Sequence, residues 1–356
     1  MLRKKRAIIS IIATVLIVSA LVGYIAYANA TSYVGTVEGE RITRAEFMYF
    51  LEQVKMEMEK EADITSPEDR EAFWNVKIDG VDAKELAKQN ALEKSKQLKI
   101  QLIKAKEAGR FLNDRDYLEI NAEIDRALAD VSWFLNIMNQ KDATRKEAEK
   151  EFKRLYGYSV KQYQAIIENL KLAHKFALSQ EETITATREE VEEHYLENSN
   201  YFDTVTVTQI LLYKNNIDSE GWQPMSEEEL EQLEEKAKEI LQRIKDGEDM
   251  IELAREYSDE DENIIEDINM AKPMENKIRD WAMDARVGQL EIIDTEKAFY
   301  IIRTDKRTSL DDVYERVESV VISNKYNELV EEWAKDPRYD IEINNFALDR
   351  IKVLDD

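Results

Sequence analysis

The chain has 356 residues, enough for two or three domains, and 9 glycines with 4 prolines among 35 % charged and 43 % hydrophobic residues suit long helices better than a β-sandwich. A formal charge of −25 argues against nucleic acid, whose phosphates such a body repels, and against anionic lipid surfaces beyond any anchor of its own. Without a single cysteine there is no disulfide, thiol nucleophile or thiolate metal site, and the two histidines, His174 and His194, have no third ligand at metal spacing.

Residues 7–30 carry no charge and follow Arg3, Lys4, Lys5 and Arg6. This is either a signal peptide, with Ala28, Asn29 and Ala30 offering a cleavage site, or an uncleaved membrane anchor. Both send the remainder outward across the membrane. An apolar run of about 20 residues is long enough to span a bilayer.

Residues 34–43 alternate β-branched and polar positions around Glu38, Gly39 and Glu40 and predict a small hairpin. Thr43 with Glu46 has capping-box spacing, and Phe47, Phe50, Leu51 and Val54 then share a helical face. From 66 to 198 the pattern reads as helix throughout, with caps at Ser66-Pro67, Thr144 with Glu147 and Thr187 with Glu190, and stops at Gly109 and Gly157. Residues 131–138 hold more large apolar side chains than one buried stripe hides, Trp133 and Phe134 among them, so they are either core or a groove for client chains.

At Thr204 the period changes to two, which predicts a strand opening a new domain. A loop with Gly221, Trp222 and Pro224 follows, then a helix capped by Ser226 with Glu229 and stopped at Gly247. Next come a short helix over 250–257, an acidic loop, a helix over 274–285, and strands over 291–295 and 297–304. A last helix over 309–335 and a strand over 340–344 complete the chain. The expected fold is mostly α with one α+β domain.

The opening VEGERIT at 37–43, EEVEEHYLENSNYF at 189–202, TQIL at 208–211, AKEILQRIKDG at 237–247, IELAREYSD at 251–259, VGQ at 287–289 and FYII at 299–302 together resemble the PrsA and SurA group of extracytoplasmic foldases. The resemblance implies a helical chaperone domain built from both chain ends, with a parvulin-like domain inserted. Its divisions are 1–30 as leader or anchor, 31–203 as the N-terminal helical part, 204–306 as the parvulin-like domain and 307–356 returning to the helical part. Because the helices ending the 34–56 segment and spanning 309–335 each carry one apolar stripe that neither can bury alone, these two segments are expected to pack together.

Parvulins speed rotation about X-Pro bonds, a barrier of about 18 to 20 kcal/mol, with an apolar grip on the proline and polar groups that favour the twisted amide. The resemblance puts the family's two histidine positions at Gln209 and Tyr300 and its cysteine or aspartate position at Glu260. Met274 and Ile278 stand at the proline pocket, and residues 261–270 lack the paired glycines. Two functions follow: a chaperone or foldase with a degenerate module, or an active peptidyl-prolyl isomerase. A membrane-anchored structural subunit is a third reading, carried by the apolar segment alone. The foldase readings imply unfolded exported proteins as partners, with Trp133 and Phe134 among the contacts, no cofactor and no metal, and leave a homodimer open.

Overall fold

The computed structural model describes residues 27–139, 142–218 and 221–354. The basic flank and the apolar stretch, Tyr27 to Ala30 excepted, lie outside the described residues, and among those described no helix is long and apolar enough to cross a membrane. The chain forms two compact units, one of the residues up to Ile184 with those from Asn324 onward, the other Thr185–Ser323. The first is thus drawn from both chain ends.

In the first unit, β1 (Tyr33–Val37) and β2 (Glu40–Thr43) make the expected hairpin, with Glu38 and Gly39 both at positive φ as a tight two-residue turn requires. Thr43 and Glu46 close a capping box on α1 (Arg44–Glu61), and Glu46 does more. Its second oxygen accepts from Lys99 Nζ at 2.6 Å and from Asn169 Nδ2 at 2.8 Å, so one buried carboxylate joins α1 to α3 (Ala83–Glu107) and α6 (Val160–Glu181). Phe47, Leu51 and Val54 of α1 bury against Ala87, Leu98 and Leu102 of α3. A neighbouring core brings Ile120, Ile124, Leu128 and Val131 of α4 (Asp114–Asn139) against Phe152 of α5 (Arg145–Tyr156) and Ile166 and Ile167 of α6.

Three expectations need correction. The helical run from 66 to 198 is interrupted after α2 (Pro67–Phe73) by a hairpin, β3 (Lys77–Ile78) with β4 (Val81–Asp82). Its turn is Asp79-Gly80, both at positive φ; the strands are too short to show a period. The loop before Ser226 is itself a hairpin, β6 (Asn215–Asp218) with β7 (Gly221–Pro224). The acidic loop contains β8 (Ile264–Ile268), whose three isoleucines supply the β-branched residues that its carboxylates hid from the reading. The N-terminal hairpin meets the other chain end through a strand: β11 (Ile341–Ile343) pairs antiparallel with β1, in the order β11-β1-β2. The last turns of α11 (Leu310–Ala334) dock elsewhere, with the Tyr326 hydroxyl donating to Gln101 Oε1 of α3 at 2.9 Å and Trp333 packed on Phe176 of α6.

The second unit centres on an antiparallel sheet in the order β8-β5-β10-β9, with β5 (Val205–Tyr213), β9 (Leu290–Asp294) and β10 (Ala298–Arg307). One face, Ile210, Leu212, Phe299 and Ile301, is covered by α8 (Glu227–Lys245) and α9 (Met250–Tyr257). The other, with Val205, Val207 and Ile302, carries α10 (Asn276–Asp284) through Ile278, Ala282 and Met283. The unit begins ahead of the period change at Thr204, because Val191 and Phe202 of α7 (Arg188–Phe202) bury against Val317 and Val321 of α11.

Candidate functional site

Two strand registers build the site. Gln209 of β5 lies opposite Ile302 of β10, and Leu211 lies opposite Tyr300. Side chains two apart along a strand share a face, so Gln209, Leu211, Tyr213, Tyr300 and Ile302 all point toward the α10 side of the sheet. The chain leaving α9 is then laid along β5. Ser258 Oγ accepts from Leu211 N at 3.1 Å, Asp259 Oδ2 from Tyr213 N at 2.7 Å, and the carbonyl of Asn263 from Gln209 N at 2.8 Å. This docking delivers Glu260 to the same face, where it accepts from the Tyr213 hydroxyl at 2.5 Å.

From the opposite side comes the start of α10. Glu275 occupies its N-cap position but makes no side-chain cap hydrogen bond; its carboxylate accepts instead from the Tyr300 hydroxyl at 3.3 Å. Burial, with the negative charge of Glu275 beside it, pushes the Tyr300 hydroxyl above its ordinary pKa. The hydrogen bond to Glu260, aided by burial, raises Tyr213 to about 12. Both phenols are held neutral. Gln209 is 8 % exposed, and its amide makes no hydrogen bond to any other described residue.

The residues anticipated for the module are thus brought together: Gln209, Glu260, Tyr300 and Met274 rim one face. Ile278, at 1 % exposure, lies beneath them as packed floor and offers no free wall. Two members were missed. Tyr213 is the next same-face position after Leu211, a signal available in the strand period, whereas Glu275 is visible only once α10 folds back over β10. Neither histidine is here. His174 is an exposed residue of α6, and the ring of His194 packs edge-on against Phe202 in α7.

A separate apolar surface belongs to the first unit. Trp133, Phe134, Ile137 and Met138 of α4 are 66 %, 43 %, 56 % and 66 % exposed, while Ile124, Leu128 and Val131 fill the core on the helix's other side. A cleft of about 990 Å³ in the same unit is lined by Arg70, Asn75, Lys84 and Leu354 and includes none of the anticipated residues.

Comparison with known proteins follows this geometry. Residues 193–308 match the PPIC-type PPIASE domain family. The foldase protein PrsA of Caldanaerobacter subterraneus subsp. tengcongensis is 22 % identical over 306 residues, covering 84 % of this chain and 82 % of the relative. Among solved structures, PrsA from Streptococcus pneumoniae aligns over 91 % of this chain and 96 % of its own, at 18 % identity and a TM-score of 0.32. A structure from work on two SurA-like chaperones of Campylobacter jejuni aligns over 88 % and 98 %, at 12 % identity and a TM-score of 0.31. The PPIC-type match lies inside the second unit and the curated foldase relative covers most of the chain, which together support a foldase of the PrsA and SurA type with a parvulin-like domain.

Proposed function

We propose that the chain is a folding factor for exported proteins, acting beyond the cytoplasmic membrane, whose helical unit holds unfolded clients and whose parvulin-like domain keeps an isomerase fold with a replaced polar network. The observation that carries the second half is the Tyr300 hydroxyl engaged by Glu275, at the position that the sequence resemblance assigns to a family histidine. A neutral phenol bonded to a carboxylate is a poor substitute for an imidazole that shares protons near neutrality. The first half is supported by the strip of Trp133, Phe134, Ile137 and Met138, whose large side chains are all exposed although their helix already has a buried face. Thioether and aromatic groups together suit varied unfolded sequences.

Retention of the apolar segment as an anchor is favoured over its cleavage. Asn344 Nδ2 donates to the carbonyl of Ala30 at 2.7 Å, Arg41 donates to Asn29 Oδ1 at 3.2 Å, and the Tyr27 ring meets Phe346 edge-on at 6.1 Å. Cleavage after Ala30 discards all three partners. The intact mass of the protein from its membrane fraction tests this: a chain starting at Thr31 overturns retention.

The chaperone reading is tested by suppression of aggregation of an unfolded model protein by the full chain. Replacing Trp133 and Phe134 together with Ser is expected to weaken suppression severalfold with no fall in melting temperature, since exposed positions shift stability by only about 0.5 kcal/mol. A full chain that suppresses nothing overturns the reading. A variant that melts early makes the two residues structural.

A further inference from the structure

The rim of the parvulin-like site is anionic and uncompensated. Glu260 and Glu275 both act on the Tyr300 hydroxyl, one from the loop after α9 and one from the head of α10. Among the described residues neither carboxylate has a cationic partner. The nearby cations are spent elsewhere: Lys214 on Asp294, Arg279 on Asp280, Arg303 on Asp305, and Lys277 on the carbonyl of Asp294.

On the same sheet face, Gln209 is more than nine-tenths buried, and its amide makes no hydrogen bond to another described residue. The amide thus reaches solvent from an otherwise buried side chain, which leaves its donors and acceptor open to a ligand on this face. An amide with one donor pair and one acceptor oxygen matches a peptide bond, which presents one of each. Met274, partly buried in the same cluster as Ile278, adds a flexible apolar side chain that is still partly open.

We infer that this face binds peptide segments in which a lysine or arginine neighbours a proline or other apolar residue, with Glu260 and Glu275 taking the cation, Met274 the apolar neighbour and Gln209 the peptide bond. The inference rests on the reading of this domain as a peptide-binding relic of an isomerase. It gives the domain a selective role that needs no proton transfer: the net charge of −25 draws basic segments in, and the carboxylate pair chooses among them.

The test is fluorescence anisotropy of the full chain with three labelled decapeptides that differ only at a central pair, Lys-Pro, Glu-Pro or Lys-Ala, at low and at 0.5 M salt. Lys-Pro is expected to bind about tenfold more tightly than Glu-Pro at low salt, as two partly exposed ion pairs allow. The ratio is expected to fall toward one at high salt and in the E260Q/E275Q variant, whereas Q209L weakens all three peptides alike. Equal binding of Lys-Pro and Glu-Pro, or a preference unchanged in E260Q/E275Q, overturns the inference. If the double variant melts early, E260Q alone is decisive, because the Glu260 side chain is exposed. Aggregation suppression run in parallel separates the two readings: suppression without basic preference removes only this inference, and basic preference without suppression removes only the chaperone role of the helical unit.

Discussion

The hydroxyl of Tyr300 donates to the carboxylate of Glu275 across 3.3 Å, which ties the central strand pair of the parvulin-like domain to the N-cap of α10. On the proposed assignment of Tyr300 to a family histidine position, that bond occupies the side chain's one polar atom. We expect no acceleration of cis/trans exchange in a proline peptide over the uncatalysed tens to hundreds of seconds. The Q209H/Y300H variant should stay inactive as well, because Glu260 and Glu275 remain at the rim and residues 261–270 still contain no glycine. A rate approaching that of an intact parvulin from either protein overturns the degenerate reading.

The same phenols predict an alkaline limit on stability. Tyr213 rises from an ordinary value of 10 to about 12 on folding, chiefly through its hydrogen bond to Glu260, and Tyr300 rises with it through burial. A pKa raised in the folded state contributes stability that is whole below pH 10 and is lost as the pH climbs through the folded value. Thermal melts of the full chain should therefore hold to about pH 10 and decline toward pH 12. In Y213F the decline should be shallower, while phenolate absorbance at 295 nm loses one late-titrating component and keeps those of the more deeply buried Tyr158 and Tyr326.

Lys99 and Glu46 form an ion pair at 2.6 Å with side chains 7 % and 4 % exposed. Removing one charge strands the other in the core, so Lys99→Met is expected to cost about 3 to 5 kcal/mol. Adding Glu46→Gln to it should recover part of the loss, since the amide oxygen can still accept from Asn169. A double-mutant cycle by urea unfolding measures this, and additive losses would mean that the pair is not coupled.

Gly35 holds the two chain ends together by having no side chain. A Cβ there would meet Ile341 Cγ2 at 2.8 Å and the Glu342 carbonyl at 3.1 Å, inside the β1 and β11 pairing. Gly35→Ala should destabilise the first unit by about 1 to 3 kcal/mol, as overpacking does. Hydrogen exchange should quicken first at the Asn344 amide, which donates to Val34 O. Uniform protection at unchanged stability would show that β11 adapts freely.

Local chemistry was legible in the chain. The boxes at Thr43, Thr144, Thr187 and Ser226 form as their spacing requires, because a cap needs only its own three neighbours. The change of period at Thr204 marks a true strand for the same reason. Short elements escaped: two residues of β3 show no alternation, and the isoleucines of β8 sit among acids that read as loop. The order of motifs, more than any single residue, pointed to the domain that residues 193–308 match.

What the linear sequence left undecided was which groups meet. Gln209 and Tyr300 are far apart in the chain, and only the antiparallel register of β5 on β10 puts them on one face. Glu275 follows Met274 directly and looked like a helix start, yet its carboxylate leaves the cap and turns to Tyr300. The apolar excess at 131–138 was equally compatible with core and with surface, and the packing of α4 on α5 and α6 turns Val131 inward and Trp133 outward. Caps and periods are set by residues a turn apart, whose geometry the backbone already prescribes. A polar face assembled from a strand, a loop and a helix head depends on long-range pairing, which no local pattern encodes.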